Sequence, residues 1–292
     1  MLELKSISKS FRADFWKKKQ KILNQISFKI PNGEIVGFVG KNGCGKTTSI
    51  KTILGIIKPD CGQVIFSKEL GSTRKEIFNK IGYLPENPRF FENLTGKSFL
   101  TLMAKLHGLE NKFILERIDY LSDKLGILDD VDKKIGKYSK GMKQKIGFIA
   151  AIFHHPKLII LDEPLSGLDP ISRRIFKEMI IDLKNEGASI LMTSHILEDL
   201  FEISDQIIYM QDGGIQKEID GKNNNGFFVY DVYHRTSLDI KFGFERIHER
   251  TRKTTSFIVK DDQRNTFLNK NNILASDIHL VSKFRFETPD YK

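Results

Sequence analysis

An α/β fold, with a largely parallel central sheet and helices packed on its faces, is what this 292-residue sequence predicts. Three observations carry the prediction. Short apolar runs of strand length alternate with longer segments of helical periodicity. One such run feeds a glycine-rich loop that opens a helix, and another ends in two adjacent carboxylates. Strands separated by helices of this length are joined by crossover connections, which make neighbouring strands parallel.

The elements follow in order. Residues 1–5 alternate from the first position and lack the charged-then-apolar build of a signal segment. Ile26, Phe28 and Ile30 alternate before the turn Pro31-Asn32-Gly33, and residues 34–39 read as a buried strand. Residues 47–56 form the helix after the glycine loop. Phe99, Leu102, Met103 and Leu106 lie at helical spacing, as do Ile146, Ile149, Ala150 and Phe153. Residues 158–161 and 189–193 are compact buried strands, with a helix over 171–186 stopped by Gly187. The character changes near Asp212-Gly213-Gly214, and Gly221-Lys222-Asn223-Asn224-Asn225-Gly226 reads as a flexible linker or loop. Beyond it, residues 227–233 and 256–260 are expected as strands and 263–271 as a short helix. The expected division is therefore a main domain over 1–221 and a small α+β appendage over 222–292. That appendage is marginal as an independent core, so it packs on the main domain or on a second chain.

Composition narrows the class. Hydrophobic residues make up 40% of the chain, with 22 Phe, enough to build a core. No apolar run approaches the roughly 18–20 residues that span a bilayer. Cys44 and Cys61 have no metal-ligand spacing and fit a reducing compartment. The net charge is +10, but residues 220–292 hold 13 basic and 10 acidic side chains, so the excess is spread along the chain. The one dense cluster, Lys17-Lys18-Lys19-Gln20-Lys21, is either a solvated loop face or a contact for anionic headgroups or phosphate. Charge does not single out nucleic acid as a partner.

The chemistry sits in two motifs. Gly40, Lys41, Asn42, Gly43, Cys44, Gly45, Lys46 and Thr47 satisfy G-x-x-x-x-G-K-[ST] between a buried strand and a helix, with Thr48 next in line. Glycines let the backbone turn its N–H groups toward phosphate oxygens, and the helix N-terminus adds its dipole. Lys46 then places an ammonium on the β- and γ-phosphates, and the Thr47 hydroxyl is set to ligate Mg²⁺. Residues 158–161 run into Asp162 and Glu163 at the carboxyl end of a central strand, where ligands gather in an open parallel sheet. Asp162 would hold Mg²⁺, and Glu163 would take a proton from the water attacking the γ-phosphate. Together these motifs predict a P-loop NTPase that binds ATP with Mg²⁺.

Three further segments narrow it: Tyr138-Ser139-Lys140-Gly141-Met142-Lys143-Gln144, Ser166-Gly167-Leu168-Asp169 and Thr193-Ser194-His195. With them, residues 1–217 resemble the nucleotide-binding subunit of ABC transporters. The resemblance implies a helical subdomain at about 87–155. It implies Ser139 and Gly141 as the signature clasping ATP held by the opposite subunit, Asp169 as a dimer-contacting acid and His195 as the switch reaching the γ-phosphate. Ser139 is also a natural helix N-cap. His107, His154 and His155 have no such context and are expected on the surface. The partners implied are a second copy or a homologous ATPase subunit, and an integral membrane permease. That permease would hold the chain at the cytoplasmic face of the membrane.

Four positions depart from the family pattern or leave a choice open. Phe11 holds the place of the aromatic that stacks on adenine, with Trp16 as competitor. Glu86, in Ile81-Gly82-Tyr83-Leu84-Pro85-Glu86, stands where glutamine is usual, near Mg²⁺ and the attacking water. That substitution and the Tyr138–Met142 signature have the look of exporter-type ABC ATPases. Cys44 sits among N–H groups and beside Lys46, which favour a thiolate; the alternative is a small buried residue kept for its size. The competing function is a soluble ABC ATPase acting on ribosomes or DNA, but neither a second phosphate loop nor a sustained heptad is present.

Overall fold

The computed structural model describes residues 1–12, 16, 19–220, 227–233, 245–251, 254–260 and 278–283. The chain divides into two compact units, Met1–Glu218 and Ile219–Lys292.

The first unit opens with β1 (Leu2–Phe11) and β2 (Gln20–Ile30), paired antiparallel from Leu2↔Ile30 to Phe11↔Gln20. Then come β3 (Ile35–Val39), α1 (Lys46–Ile53) and β4 (Cys61–Phe66), the last pairing antiparallel with β1. The chain continues through α2 (Arg74–Asn79), β5 (Ile81–Leu84), α3 (Gly96–Leu106), α4 (Asn111–Lys124), two single 3₁₀ turns and α5 (Lys140–Ile152). It closes with β6 (Leu158–Leu161), α6 (Pro170–Asn185), β7 (Ser189–Ser194), α7 (Leu197–Ile203), β8 (Gln206–Gln211) and β9 (Gly214–Asp220).

Two sheets result: a three-stranded sheet ordered β2-β1-β4 and a six-stranded sheet ordered β5-β6-β7-β3-β8-β9. The pairs β5·β6, β6·β7, β7·β3 and β3·β8 are all parallel, as the alternation of strands and helices predicts. Strands such as Leu158–Leu161 and Ile35–Val39 are buried at every position, which a sheet covered on both faces requires. One continuous core joins Leu4, Ile7, Leu23 and Phe28 to Phe38, Ile160 and Leu191, with Ile50 and Ile53 of α1 within it. The rings of Phe28 and Phe38 lie 5.4 Å apart across that core.

Register is what positions the site. Leu84 pairs with Leu161, Leu161 with Met192, and Val39 with Ser194, so four strands end nearly level. The residues that follow them leave the same edge of the sheet. At about 4.8 Å per strand, the loops after β5, β6, β7 and β3 emerge within roughly 15 Å of one another.

Beside this sheet, α5 rests directly on β5. A Cβ on Gly82 would lie 2.0 Å from the carbonyl oxygen of Ala151, so only glycine admits that approach. The helix expected around Phe99 to Leu106 is α3, and its buried face does not follow the whole apolar spacing. Phe99 is buried edge-on against Phe90, and Leu100 and Ala104 are buried with it, whereas Leu102 and Leu106 are exposed. Leu100 and Ala104 are four apart and share a face; Leu102 and Leu106 lie half a turn away. The helix bounds shift slightly too: α1 ends at Ile53, before the left-handed Gly55, and α6 starts at Pro170.

Histidine placement needs correction. His107 and His154 are half-buried, not fully exposed: their rings stack at 3.8 Å and 9° where the end of α3 meets the end of α5. His154 Nε2 lies 3.3 Å from the Ile81 carbonyl, and burial lowers its pKa to about 4. His155 is exposed, as expected.

In the second unit, the described residues form one antiparallel sheet ordered β11-β12-β10-β13. Its strands are β10 (Phe227–Tyr233), β11 (Glu245–Thr251), β12 (Thr254–Lys260) and β13 (Ile278–Lys283). The linker at 221–226, the helix at 263–271 and the positions Lys17 and Lys18 lie outside the described residues.

Candidate functional site

The glycine loop runs from the buried end of β3 into α1. Gly43 and Gly45 adopt φ of 81° and 116°. At Gly45 a side chain would also strike Leu23 and Met210, each 2.7 Å from a Cβ, so both space and dihedral demand glycine. No side chain caps α1, so the first-turn N–H groups of that helix are left for a ligand. Lys46 is buried and folds back over the loop, donating to the carbonyls of Gly40 at 2.6 Å and Lys41 at 3.3 Å.

Opposite the loop, a chain of hydrogen bonds ties the first turn of α1 to the ends of β6 and β7. Thr47 Oγ1 donates to Asp162 Oδ2 at 3.1 Å, and Thr193 Oγ1 donates to Asp162 Oδ1 at 2.7 Å. The Glu163 N–H in turn donates to Thr193 Oγ1 at 2.8 Å. Asp162 is 1% exposed, and burial raises its carboxyl pKa, opposed by the bonds from Thr193 and Thr47. Its neighbour Glu86 pushes in the same direction as burial. Two hard oxygen donors, the buried Asp162 carboxylate and the half-buried Thr47 hydroxyl, suit a small divalent cation such as Mg²⁺, which keeps much of its own water.

Glu163 is the one strained residue of the group. Its φ is +53°, a left-handed conformation that costs a non-glycine residue about 1–2 kcal/mol. That backbone turn aims its carboxylate at His195, whose Nδ1 lies 2.7 Å from Glu163 Oε2. The Glu163 side chain is 9% exposed and the His195 side chain 50%, so the pair spans from the protein interior to open solvent.

A cleft of about 240 Å³ gathers most of the expected residues: Asn42, Gly43, Gly45, Lys46, Thr47, Thr48, Glu86, Asp162, Glu163 and His195 all line it. Gly40 and Lys41 contribute the carbonyls that hold Lys46. Phe11, Ser139, Gly141 and Asp169 do not line this cleft. Phe11 is 40% exposed at the end of β1, its ring 5.5 Å from Lys9 Nζ, while its competitor Trp16 is 91% exposed. Ser139 caps α5 by accepting the Met142 N–H at 3.2 Å. Beside it, Gly141 packs against the Gly167 carbonyl. Asp169 caps α6, accepting the Ser172 N–H at 2.9 Å and its hydroxyl at 2.6 Å, bonds that hold its pKa down.

The structure adds residues that the motifs did not single out. Thr193 joins Asp162 to Glu163, Ser166 lines the cleft, and buried Gln144 donates to the Glu163 carbonyl at 3.3 Å. Thr193 carried a signal: it lies on the strand next to Asp162, two residues before His195. Gln144 stands in the quoted segment Tyr138–Gln144, but nothing in that segment points to its partner, 19 residues away after another element.

Of the two readings of Cys44, the structure favours the small buried residue. It does not face the phosphate cleft but a neighbouring hollow, lined by Ile22, Lys41, Asp212 and Gly213 among others. The side chain is buried, and that burial raises the thiol pKa more than Lys46 and the nearby N–H groups lower it. A neutral alkylating reagent should therefore label exposed Cys61 first and Cys44 slowly at neutral pH, with ATP binding unharmed by Cys61 adducts. Peptide mass spectrometry over a time course checks this; Cys44 labelled ahead of Cys61 would restore the thiolate.

Comparison with known proteins agrees with this geometry. The family model described as ABC transporter matches residues 23–166. The bacitracin transport ATP-binding protein BcrA of Bacillus licheniformis is 38% identical over 202 residues, covering 68% of this chain. The chain spans 65% of that relative's length. A BcrA from Enterococcus faecalis is 34% identical over 247 residues, covering 78% of this chain and 79% of the relative. The solved ATP-binding subunit of an ABC transporter superposes at a TM-score of 0.67 with 30% identity, covering 75% of this chain and 89% of its own. A dimeric cassette in a post-hydrolysis state with ADP and Pi shares the fold at a TM-score of 0.69 and 20% identity, over 75% of this chain and 98% of its own. With its phosphate loop, acidic strand end and these relatives, the chain belongs to the ABC transporter family, among its ATP-binding proteins, the ABC ATPases.

Proposed function

We propose that this chain hydrolyses ATP as one half of a dimer and that the dimer powers a separate membrane permease working as an exporter. The observation that carries hydrolysis is the Glu163–His195 pair, 2.7 Å apart and lining the same cleft as Lys46 and the phosphate loop. Glu163 takes the proton of the attacking water, and His195 holds that carboxylate in place while its ring reaches the γ-phosphate. Lys46 leaves the two loop carbonyls for the β- and γ-phosphates. Thr47, Asp162 and Glu86 would hold Mg²⁺, which would supply neutralisation of phosphate charge when bound.

Dimerisation is supported by what the cleft lacks. Ser139, Gly141 and Asp169 do not line it in a single chain, so they serve the nucleotide of the opposite chain. Phe11 stacks on adenine. The names of the BcrA relatives support a transport role, and Glu86 with the Tyr138–Met142 signature supports export. No helix among the described residues is long and apolar enough to cross a membrane. Residues 222–292 form an accessory region that regulates or stabilises the dimer.

Phosphate release by the purified chain with Mg-ATP, and co-purification with a multi-span membrane protein, test this reading together. An active chain found on ribosomes instead of a membrane protein overturns the transport half. Glu86→Gln supplies a narrower test. If the carboxylate assists the cation, the variant keeps its turnover but needs roughly tenfold more Mg²⁺. An unchanged Mg²⁺ titration returns Glu86 to the role of an ordinary loop residue.

A further inference from the structure

We infer that Gln144 is a positioning residue for ATP hydrolysis, holding the backbone of Glu163 in the left-handed turn that aims its carboxylate; this rests on Glu163 being the general base. Gln144 lies on α5, one turn beyond the Ser139 cap, and is 1% exposed. A buried amide is placed for a polar partner, and its Nε2 finds the Glu163 carbonyl at 3.3 Å.

Glu163 needs such support. Its φ of +53° is unfavourable for a side chain with a Cβ, so the surrounding structure must hold the peptide on both sides. On the amino side the N–H is anchored on Thr193. On the carboxyl side the carbonyl accepts two bonds, from the Ser166 N–H at 3.1 Å and from Gln144. The Ser166 bond is local and turns with the loop. Gln144 alone fixes the carbonyl to a separate helix.

That helix is tied to the acidic loop a second time. Lys140 Nζ donates to Ser166 Oγ at 2.9 Å, and Ser166 lines the phosphate cleft. The head of α5 and its second turn thus grip the segment between Glu163 and Asp169. A displacement of α5 is transmitted to the carbonyl of Glu163, and through it to the direction of the carboxylate.

Gln144→Met tests this with the full chain, because methionine keeps the length and fills the space but cannot donate. With the Ser166 bond intact, the carbonyl retains one partner and the variant folds. The expected result is a fall in kcat of tenfold or more, with ATP affinity and the KM for Mg-ATP unchanged. A wild-type kcat in Gln144→Met overturns the proposal, as does a loss confined to KM. If Glu163→Gln abolishes turnover in parallel while Gln144→Met does not, only the positioning role has failed. If Glu163→Gln keeps its turnover, the base assignment has failed.

Gln144→Glu gives a second readout, because burial at this position raises the pKa of the introduced carboxyl toward neutrality. As the carboxylate it cannot donate to the Glu163 carbonyl; as the carboxylic acid it can. The ratio of its kcat to that of the unaltered protein should therefore rise as pH falls from 8.5 to 6. A ratio that stays flat while the introduced carboxyl titrates within that range, as read by NMR, overturns the proposal.

Discussion

Glu163→Gln should bind ATP as the unaltered protein does and hydrolyse it about 10²- to 10⁴-fold more slowly, the range that general acid–base catalysis supplies. The amide keeps the shape of the side chain, but it cannot accept the proton of the attacking water. The neighbouring contacts favour the substitution structurally. The Glu163 N–H still reaches Thr193, its carbonyl still meets Gln144, and the amide oxygen can still accept from His195 Nδ1. With hydrolysis slowed and binding intact, the nucleotide-bound dimer should persist and elute ahead of the monomer in size-exclusion chromatography with Mg-ATP. Single-turnover phosphate release measures the rate. A turnover within a fewfold of the unaltered protein would remove Glu163 from the role of base and make Glu86, which lines the same cleft, the next candidate.

Lys46→Ala should abolish nucleotide binding at practical concentrations. The Lys46 ammonium donates to two loop carbonyls, at 2.6 and 3.3 Å. It exchanges neutral carbonyls for charged phosphate oxygens when ATP enters. A charge-assisted hydrogen bond in a buried setting contributes about 3 kcal/mol, roughly a 100-fold loss of affinity when removed. Calorimetric titration with ATP reads the change directly. The fold should survive, because the glycine conformations at Gly43 and Gly45 and the packing of Ile50 and Ile53 do not depend on the lysine. An alanine variant that binds ATP within about threefold of the unaltered protein would show that the loop N–H groups suffice by themselves.

Both predictions concern residues that the amino-acid order alone makes legible. A phosphate loop must consist of consecutive residues, because neighbouring N–H groups of one backbone turn have to converge on one ligand. The strands at 158–161 and 227–233 are equally legible: compact apolar runs, bounded by turn or acidic residues. Elements whose chemistry or burial is local in this way leave their mark in local order. The face of α3 does not, since both candidate faces of that helix carry leucines and only its neighbours select Phe99, Leu100 and Ala104.

The three-dimensional arrangement decided everything that depends on competition between distant groups. Cys44 has phosphate-loop neighbours that favour a thiolate, yet the core around it wins, and how much water a side chain loses is not written in its flanking residues. His107 and His154 are 47 positions apart in the chain and stack because α3 and α5 end side by side. Asp162 and Glu163 could be named as site residues from the strand they end. Their connection through Thr193, and the grip of Gln144 on Glu163, exist only because parallel pairing levels the ends of β6 and β7 and lays α5 against the acidic loop. Local order sufficed for the groups proposed to meet the nucleotide, because a phosphate loop and an acidic strand end are short motifs. The groups that aim those motifs come from separate elements, and only packing brings them together.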